Sequence, residues 1–337
     1  MTSIVTAIAD RLGLHQNIVW TLGVILAALV VGSALRLGRA LVSHQEDAKY
    51  QQRLASLRTW WVLFLLLAAV VLAGRLFIVG LFAIVSLLAL REFRRLVSAR
   101  IAGSLWPWAI LAVPIHYAIV VSGALGPFWT FIPVWVLGVL LVRLVVGAET
   151  QQFLETAGTV FLGLMLLVFL LSHAALVTTL PLIPPNQAAG STGLFVYLLV
   201  LTECNDIAQA LWGRRWGRHK ITPIISPHKT WEGFLLGAAT TVSLSVLMSR
   251  FLTPLADSPL RLGEHQIHIP YLPAAIAGVL IAVGGFFGDV TISSIKREVG
   301  VKDSGSLLPG QGGILDRIDS LTYTGPLFFY FVYIFCG

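Results

Sequence analysis

The chain has 337 residues, 57% of them hydrophobic and only 12% charged, with a formal net charge of +7. No soluble fold has interior enough to hide that much apolar side chain, and the charged share is about half of what a soluble domain carries. With a mean hydropathy of +0.85, the composition predicts an all-α, polytopic integral membrane protein and excludes disorder, collagen, coiled coil and a disulfide scaffold.

A spanning helix needs about 20 predominantly apolar residues. Ten segments qualify, at about 18–35, 59–74, 76–90, 104–123, 128–147, 158–180, 191–212, 233–252, 272–289 and 320–336. The second and third are short and separated only by Gly74 and Arg75, which predicts a tight hairpin and leaves the count at nine or ten. Asp10 and Arg11 ahead of the first run, without a clear cleavage site, argue against a signal peptide. No internal repeat or low-complexity tract is visible. Cys204 and Cys336 both lie in apolar runs, with no metal or disulfide pattern.

With the N-terminus outside, alternate loops hold all of the 23 Lys and Arg except Arg11, Arg75, Arg250 and Arg261. That asymmetry predicts ten spans with both ends outside and the basic loops in the cytoplasm. Much of the +7 is therefore topology, and the first two basic loops need no other account.

Topology does not account for the acids. In the seventh span, Glu203, Asp206 and Gln209 are spaced by three and share a helical face. A carboxylate at membrane depth costs at least about 2.5–3.5 kcal/mol, so such residues face a polar cavity, an ion or a basic partner. The alternative is a solvated acid pair at a helix end. Next come Arg214, Arg215, Arg218, Lys220 and Lys229, with glycines and a Ser226-Pro227 turn. These suit phosphate oxygens through Arg forks and Lys point charges, although a basic loop at a membrane surface would look the same.

The ninth span ends Gly284-Gly285-Phe286-Phe287-Gly288-Asp289 and is followed by Ser293, Ser294, Lys296, Arg297, Lys302, Asp303, Ser304 and Gly305. The segment closes with Pro309-Gly310-Gln311-Gly312-Gly313-Ile314-Leu315-Asp316-Arg317-Ile318-Asp319. Asp316 and Asp319 share one face near a helix start, where capping is the simple explanation. Yet Asp289, Asp303, Asp316 and Asp319 surround Lys296, Arg297, Lys302, Arg317 and the glycine loop. Carboxylates without His or Cys suit Mg2+, and glycines let backbone amides approach phosphate. The residues point to magnesium-dependent phosphoryl or nucleotidyl transfer at the cytoplasmic membrane face.

The run from Ser293 to Asp319 resembles the signature of the phosphatidate cytidylyltransferases, the CDP-diacylglycerol synthases. The matching elements are Ser293, Lys296-Arg297, Lys302-Asp303, Ser304-Gly305, Pro309, the 310–313 loop and Asp316-Arg317-Ile318-Asp319. Asn205-Asp206, Gly213, Gly217-Arg218, the Ser-Pro-His-Lys-Thr-Trp-Glu-Gly run at 226–233 and Gly288-Asp289 are similar to that family too. The first 190 residues match only as apolar spans. The family's histidine between the glycines is Gln311 here, which can hydrogen-bond but cannot exchange a proton near pH 7.

The resemblance implies transfer of a cytidylyl group from CTP to phosphatidate, giving CDP-diacylglycerol and pyrophosphate for phospholipid synthesis. It implies Mg2+ held by Asp206, Asp289, Asp316 and Asp319, with a second cation such as K+ left open. Lys296, Arg297, Lys302, Asp303, Gln311 and Arg317 take catalytic roles in this picture, and Ser226, Lys229, Ser293, Gly310, Gly312 and Gly313 bind substrate. Residues 1–190 are then scaffold, and residues 191–337 carry the site within one integrated membrane domain. The expected setting is the inner membrane of a bacterial cell with the site on its cytoplasmic face, without nucleic acid, and with a homodimer left open. A phosphomonoester whose second pKa is about 6 needs little base catalysis, so the reaction tolerates loss of the histidine; an altered or inactive paralogue is the alternative. A transporter fits less well, because the charges gather on one face and no repeated halves are visible. The Asp-Gly-x-x-Ala-Arg pattern of CDP-alcohol phosphatidyltransferases is absent from the chain.

Overall fold

A computed structural model describes residues 6, 9, 14–43, 48–97, 103–180 and 189–336; Asp10 and Arg11 lie outside them. Among the described residues nine helices are long and apolar enough to cross a membrane. They are α1 (Gln16–Ser43), α2 (Ala48–Ala73), α3 (Arg75–Val97), α4 (Trp106–Ser122) and α5 (Leu125–Val146). The others are α6 (Phe153–Thr179), α7 (Gly190–Trp216), α8 (Trp231–Leu252) and α9 (Leu272–Glu298). The chain is a multi-pass, all-α membrane protein, as its composition predicts.

The tenth predicted span is divided. A single turn, α10 (Leu315–Ile318), precedes α11 (Leu321–Phe331), which widens into a π-helical end at Val332–Cys336. Asp319 and Ser320 keep helical dihedrals between them, but the Ser320 N–H donates to Asp319 Oδ1 at 2.8 Å. The side chain has taken a donor that an unbroken helix would have used. α11 is nonetheless central, with Leu321, Thr324, Phe328 and Phe329 all buried.

The hairpin between α2 and α3 turns on Gly74 alone, whose φ of +96° favours glycine. Arg75 then donates to the carbonyls of Val120 and Val121, and so adds to the pairing of the last carbonyls of α4. Among the described residues two short antiparallel hairpins complete the fold. β1 (Lys220–Thr222) pairs with β2 (Ser226–Thr230) between α7 and α8, and β3 (Leu260–Leu262) pairs with β4 (His265–Ile267) between α8 and α9.

Lipid offers helices no hydrophobic reason to associate, so they need close packing and polar contacts. α8 supplies both along one stripe of small residues, Gly233, Gly237, Thr241, Ser245 and Ser249, each buried. A Cβ at Gly237 would lie 2.5 Å from Gln209 Cγ and 2.9 Å from its Cα, and one at Gly278 would lie 2.8 Å from Val242 Cα. On the same surface Tyr197 Oη donates to Ser245 Oγ, which donates to the Ala274 carbonyl, and Thr241 Oγ1 donates to Asn205 Oδ1 at 3.0 Å. α7, α8 and α9 therefore form one tightly fitted unit.

The ends bearing the basic loops meet at one face. Thr59 Oγ1 donates to the Pro309 carbonyl, Arg297 Nε to the Ile225 carbonyl, and Ser104 Oγ to Glu149 Oε2. At the opposite face Asn17 Nδ2 reaches the Phe251 carbonyl. Gly237→Val is expected to cost about 1–3 kcal/mol by forcing α8 off α7. Thermal unfolding in detergent, compared with an exposed control such as Leu247→Ala, checks it.

Candidate active site

The site grows from the C-terminal half of α9. Asp289, Ser293 and Lys296 fall on one side of that helix, at the spacing of three and four that aligns side chains. Ser293 and Lys296 are buried. Ser293 Oγ donates to Asp289 Oδ1 at 3.1 Å, and Lys296 Nζ donates to Asp316 Oδ1 at 2.6 Å.

Asp316 organises the loop that returns to it. Its Oδ2 accepts from Ser304 N at 3.1 Å, Ser304 Oγ at 2.9 Å and Gly313 N at 3.0 Å. The intervening chain closes as a tight turn through Leu308 N to the Gly312 carbonyl and Gln311 N to the Leu308 carbonyl. Gly310 and Gly312 sit at φ of +74° and +88°, and a Cβ on Gly312 would meet Asp316 Oδ2 at 2.6 Å. Burial by itself raises the Asp316 carboxyl. The hydrogen bonds from Lys296, Gly313 and Ser304 outweigh that and hold it below the usual carboxylate range.

A second group of acids lies beside this one. Asp319 feels the charges of Asp289 and Asp206, and Asp206 from α7 feels those of Glu203, Asp289 and Lys229. Two glycines of α9 let them come so near. A Cβ at Gly285 would stand 2.7 Å from Asn205 Nδ2 and 3.6 Å from Asp206 Oδ1, and one at Gly288 would run into the Asp319 carbonyl. Burial first, then the Asp289 and Asp206 charges, hold the Asp319 carboxyl well above its ordinary range. Lys229 Nζ, from β2, pairs with Asp289 Oδ2 at 2.8 Å and stands 4.7 Å from the centre of the Phe286 ring.

With Lys229 on Asp289 and Arg317 beside Asp319, the group holds more acids than bases on hard oxygen donors, and that chemistry suits Mg2+. Among the described residues no three such groups are already drawn together at ligating distance, and Lys229 holds Asp289.

Other residues singled out by the sequence sit differently. Gln311 turns to α2, where its Nε2 donates to the Ser56 carbonyl at 3.1 Å and to Ser56 Oγ at 3.2 Å. Gly313 spends its amide on Asp316, while Gly310 is exposed on the turn. Arg317 feels Glu203 and Asp319. Arg297 is exposed and braces the β1–β2 turn at Ile225; Lys302 and Asp303 are exposed, and Ser226 is half-buried at the start of β2. Gln209 is a packing residue, bonded to Asn205 Oδ1 and the Ala282 carbonyl.

Glu92, Ser56 and Thr59 have no place in the sequence-based prediction of the site, and Ser304 enters it only as a motif element without a role. Glu92 stands in the run Arg91-Glu92-Phe93-Arg94-Arg95, which looks like a solvated helix end, yet it is only 7% exposed. Its carboxylate accepts from Ile314 N at 3.0 Å and Leu315 N at 3.3 Å.

Comparison with known proteins gives a consistent picture. The cytidylyltransferase family matches residues 54–335. The chain is 37% identical over 316 residues to the uncharacterized protein YnbB of Escherichia coli, an alignment covering 94% of this chain and 98% of that one. It is 39% identical over 140 residues to the phosphatidate cytidylyltransferase of Haemophilus influenzae, covering 42% of this chain and 46% of that enzyme. With the chloroplastic phosphatidate cytidylyltransferase 4 of Arabidopsis thaliana it shares 38% over 156 residues, 46% of this chain and 36% of the other. The chain thus spans nearly all of YnbB and less than half the length of these two enzymes.

A carboxyl held below its unfolded value stabilises the fold above that unfolded pKa, about 4, and ceases to do so as pH falls through the lowered folded value. Asp316→Asn is therefore expected to lower the unfolding midpoint at pH 7, with the deficit against wild type shrinking below about pH 4. Thermal melts of both proteins across pH 3–7 measure it.

Proposed function

Since the chain belongs to the cytidylyltransferase family and is thus a nucleotidyltransferase, we propose that it transfers the cytidylyl group of CTP to phosphatidate. The products are CDP-diacylglycerol and pyrophosphate. The observation that carries this reading is the meeting of Asp206, Asp289 and Asp319 with Lys229, beside a glycine loop on the face where the basic loops converge.

A phosphate oxygen of phosphatidate attacks the α-phosphorus of CTP. The bond from that phosphorus to the oxygen bridging the β-phosphorus breaks, and its electron pair leaves with pyrophosphate. Both reactants are anions, so the protein's task is to neutralise charge and hold attacking and leaving oxygens in line. Lys229, Arg297 and Arg317 provide positive charge around the acids. Lys296 keeps Asp316 in place, and with it the turn that bears Arg317. Asp206, Asp289 and Asp319 are the residues that would hold Mg2+. Bound there, the ion supplies positive charge to the triphosphate and to the departing pyrophosphate. The acyl chains stay in the bilayer, which is why chemistry on a water-soluble nucleotide is housed among spanning helices. The one-sided bases support a site on the cytoplasmic face of the membrane, which on this reading is the inner membrane of a bacterial cell.

Gln311 fits this mechanism without a proton to give. The phosphate nucleophile is largely ionised at neutral pH, and Gln311 serves as a tie to α2.

Purified protein given labelled CTP, phosphatidate and Mg2+ tests the reading. Asp289→Asn and Asp206→Asn are each expected to lower CTP incorporation into lipid by on the order of 100-fold or more. Activity near wild type in both variants would sink the assignment. Gln311→His is expected to stay within about threefold of wild type, whereas a gain of 100-fold would mean that general acid–base catalysis at this position limits the rate.

A further inference from the structure

We propose that Glu92 of α3 is a positioning residue for the segment that carries Asp316, Arg317 and Asp319; its effect on turnover rests on the function proposed above. The residue before α10 is Ile314, which has no side-chain acceptor, and α10 has no local side-chain cap. The unpaired amides at that helix start are met instead by a carboxylate 222 positions away. Glu92 Oε2 accepts from Ile314 N at 3.0 Å, and Oε1 accepts from Leu315 N at 3.3 Å. Gly313 N, one residue earlier, donates to Asp316 Oδ2. Three consecutive amides are therefore divided between Asp316, which the turn carries, and Glu92, which belongs to a different helix.

The glycines of the segment fit around this carboxylate. A Cβ on Gly313 would collide with Glu92 Oε1, and one on Gly305 would lie 3.1 Å from Glu92 Cδ and Oε2. Glycine at 313 is thus needed for the approach of Glu92, and glycine at 305 eases it, whatever else the loop binds. A simple surface charge at the end of α3 would be exposed and would leave Gly305 free to carry a side chain. Glu92 is buried and fills that space.

The bond also fixes a distance that nothing local fixes. Asp316 and Arg317 follow Leu315 directly, and Asp319 lies one helical turn on, so the register of the whole turn against α3 is set where Glu92 grips it. A displacement of about 1 Å in such a turn is enough to cost on the order of 100-fold in rate.

Glu92→Gln keeps the shape and turns one acceptor into a donor that faces backbone N–H groups. Its kcat is expected to fall roughly 10–100-fold while the KM for CTP stays within about threefold. In hydrogen exchange, amides of residues 304–319 are expected to exchange about ten times faster, with α5 and α6 unchanged. Glu92→Asp, which keeps the charge on a shorter arm, is expected to recover part of both. Wild-type kcat in Glu92→Gln, unchanged protection of 304–319, or protection lost evenly through every helix would each overturn the proposal. If the wild-type protein itself fails to use CTP and phosphatidate, the substrate reading fails, and the exchange measurement still decides the role of Glu92.

Discussion

A half-buried carboxylate at the edge of a bilayer has to collect donors or a cation, because the surroundings solvate it poorly. Asp316 meets that demand with Lys296 from α9, both the amide and the hydroxyl of Ser304, and the amide of Gly313. Those partners come from a membrane helix, from the start of a loop and from its end. One side chain therefore decides where the 304–313 loop lies relative to α9. Asp319 follows on the next helical turn, so its position beside Asp289 and Asp206 depends on the same anchorage.

The second constraint is close approach. Gly285 and Gly288 leave α9 without side chains where Asn205 and the Asp319 backbone press against it, and the stripe from Gly233 to Ser249 does the same for α8 against α7 and α9. Removing side chains gives up little in lipid, where apolar surface gains nothing from burial against another helix. What it gains is three carboxylates from three elements close enough to feel one another's charge. That arrangement repels itself, and Lys229 relieves it at Asp289.

The first helices are more than a raft for the C-terminal half. α2 reaches the glycine turn through Thr59 and Ser56, and α3 reaches the start of α10 through Glu92. Gln311 makes sense in that setting. Its amide donates to a backbone carbonyl of α2, a role that needs a hydrogen-bond donor and no titrating proton.

Much of the fold was legible in the sequence, because a spanning helix announces itself over about 20 consecutive residues and loop bases reveal its direction. The class, the spans from α1 to α9 and the singling out of Asp206, Asp289, Asp316 and Asp319 as candidates all come from local hydropathy and from charges where charge is expensive. The division of the last span was not legible, since it follows from the Asp319 carboxylate capturing the Ser320 amide. Nor was the separation of Asp316, saturated by its own loop, from the group of Asp206, Asp289 and Asp319. Glu92 was hidden altogether: among the arginines near the end of α3 it looks solvated, and only the packing of a segment 222 positions later buries it. Sequence by itself determined which residues the membrane makes costly, because that cost depends on the span each sits in. Tertiary structure decided which of them meet, because hydrogen bonds and close glycine contacts act over a few ångströms between helices that are far apart along the chain.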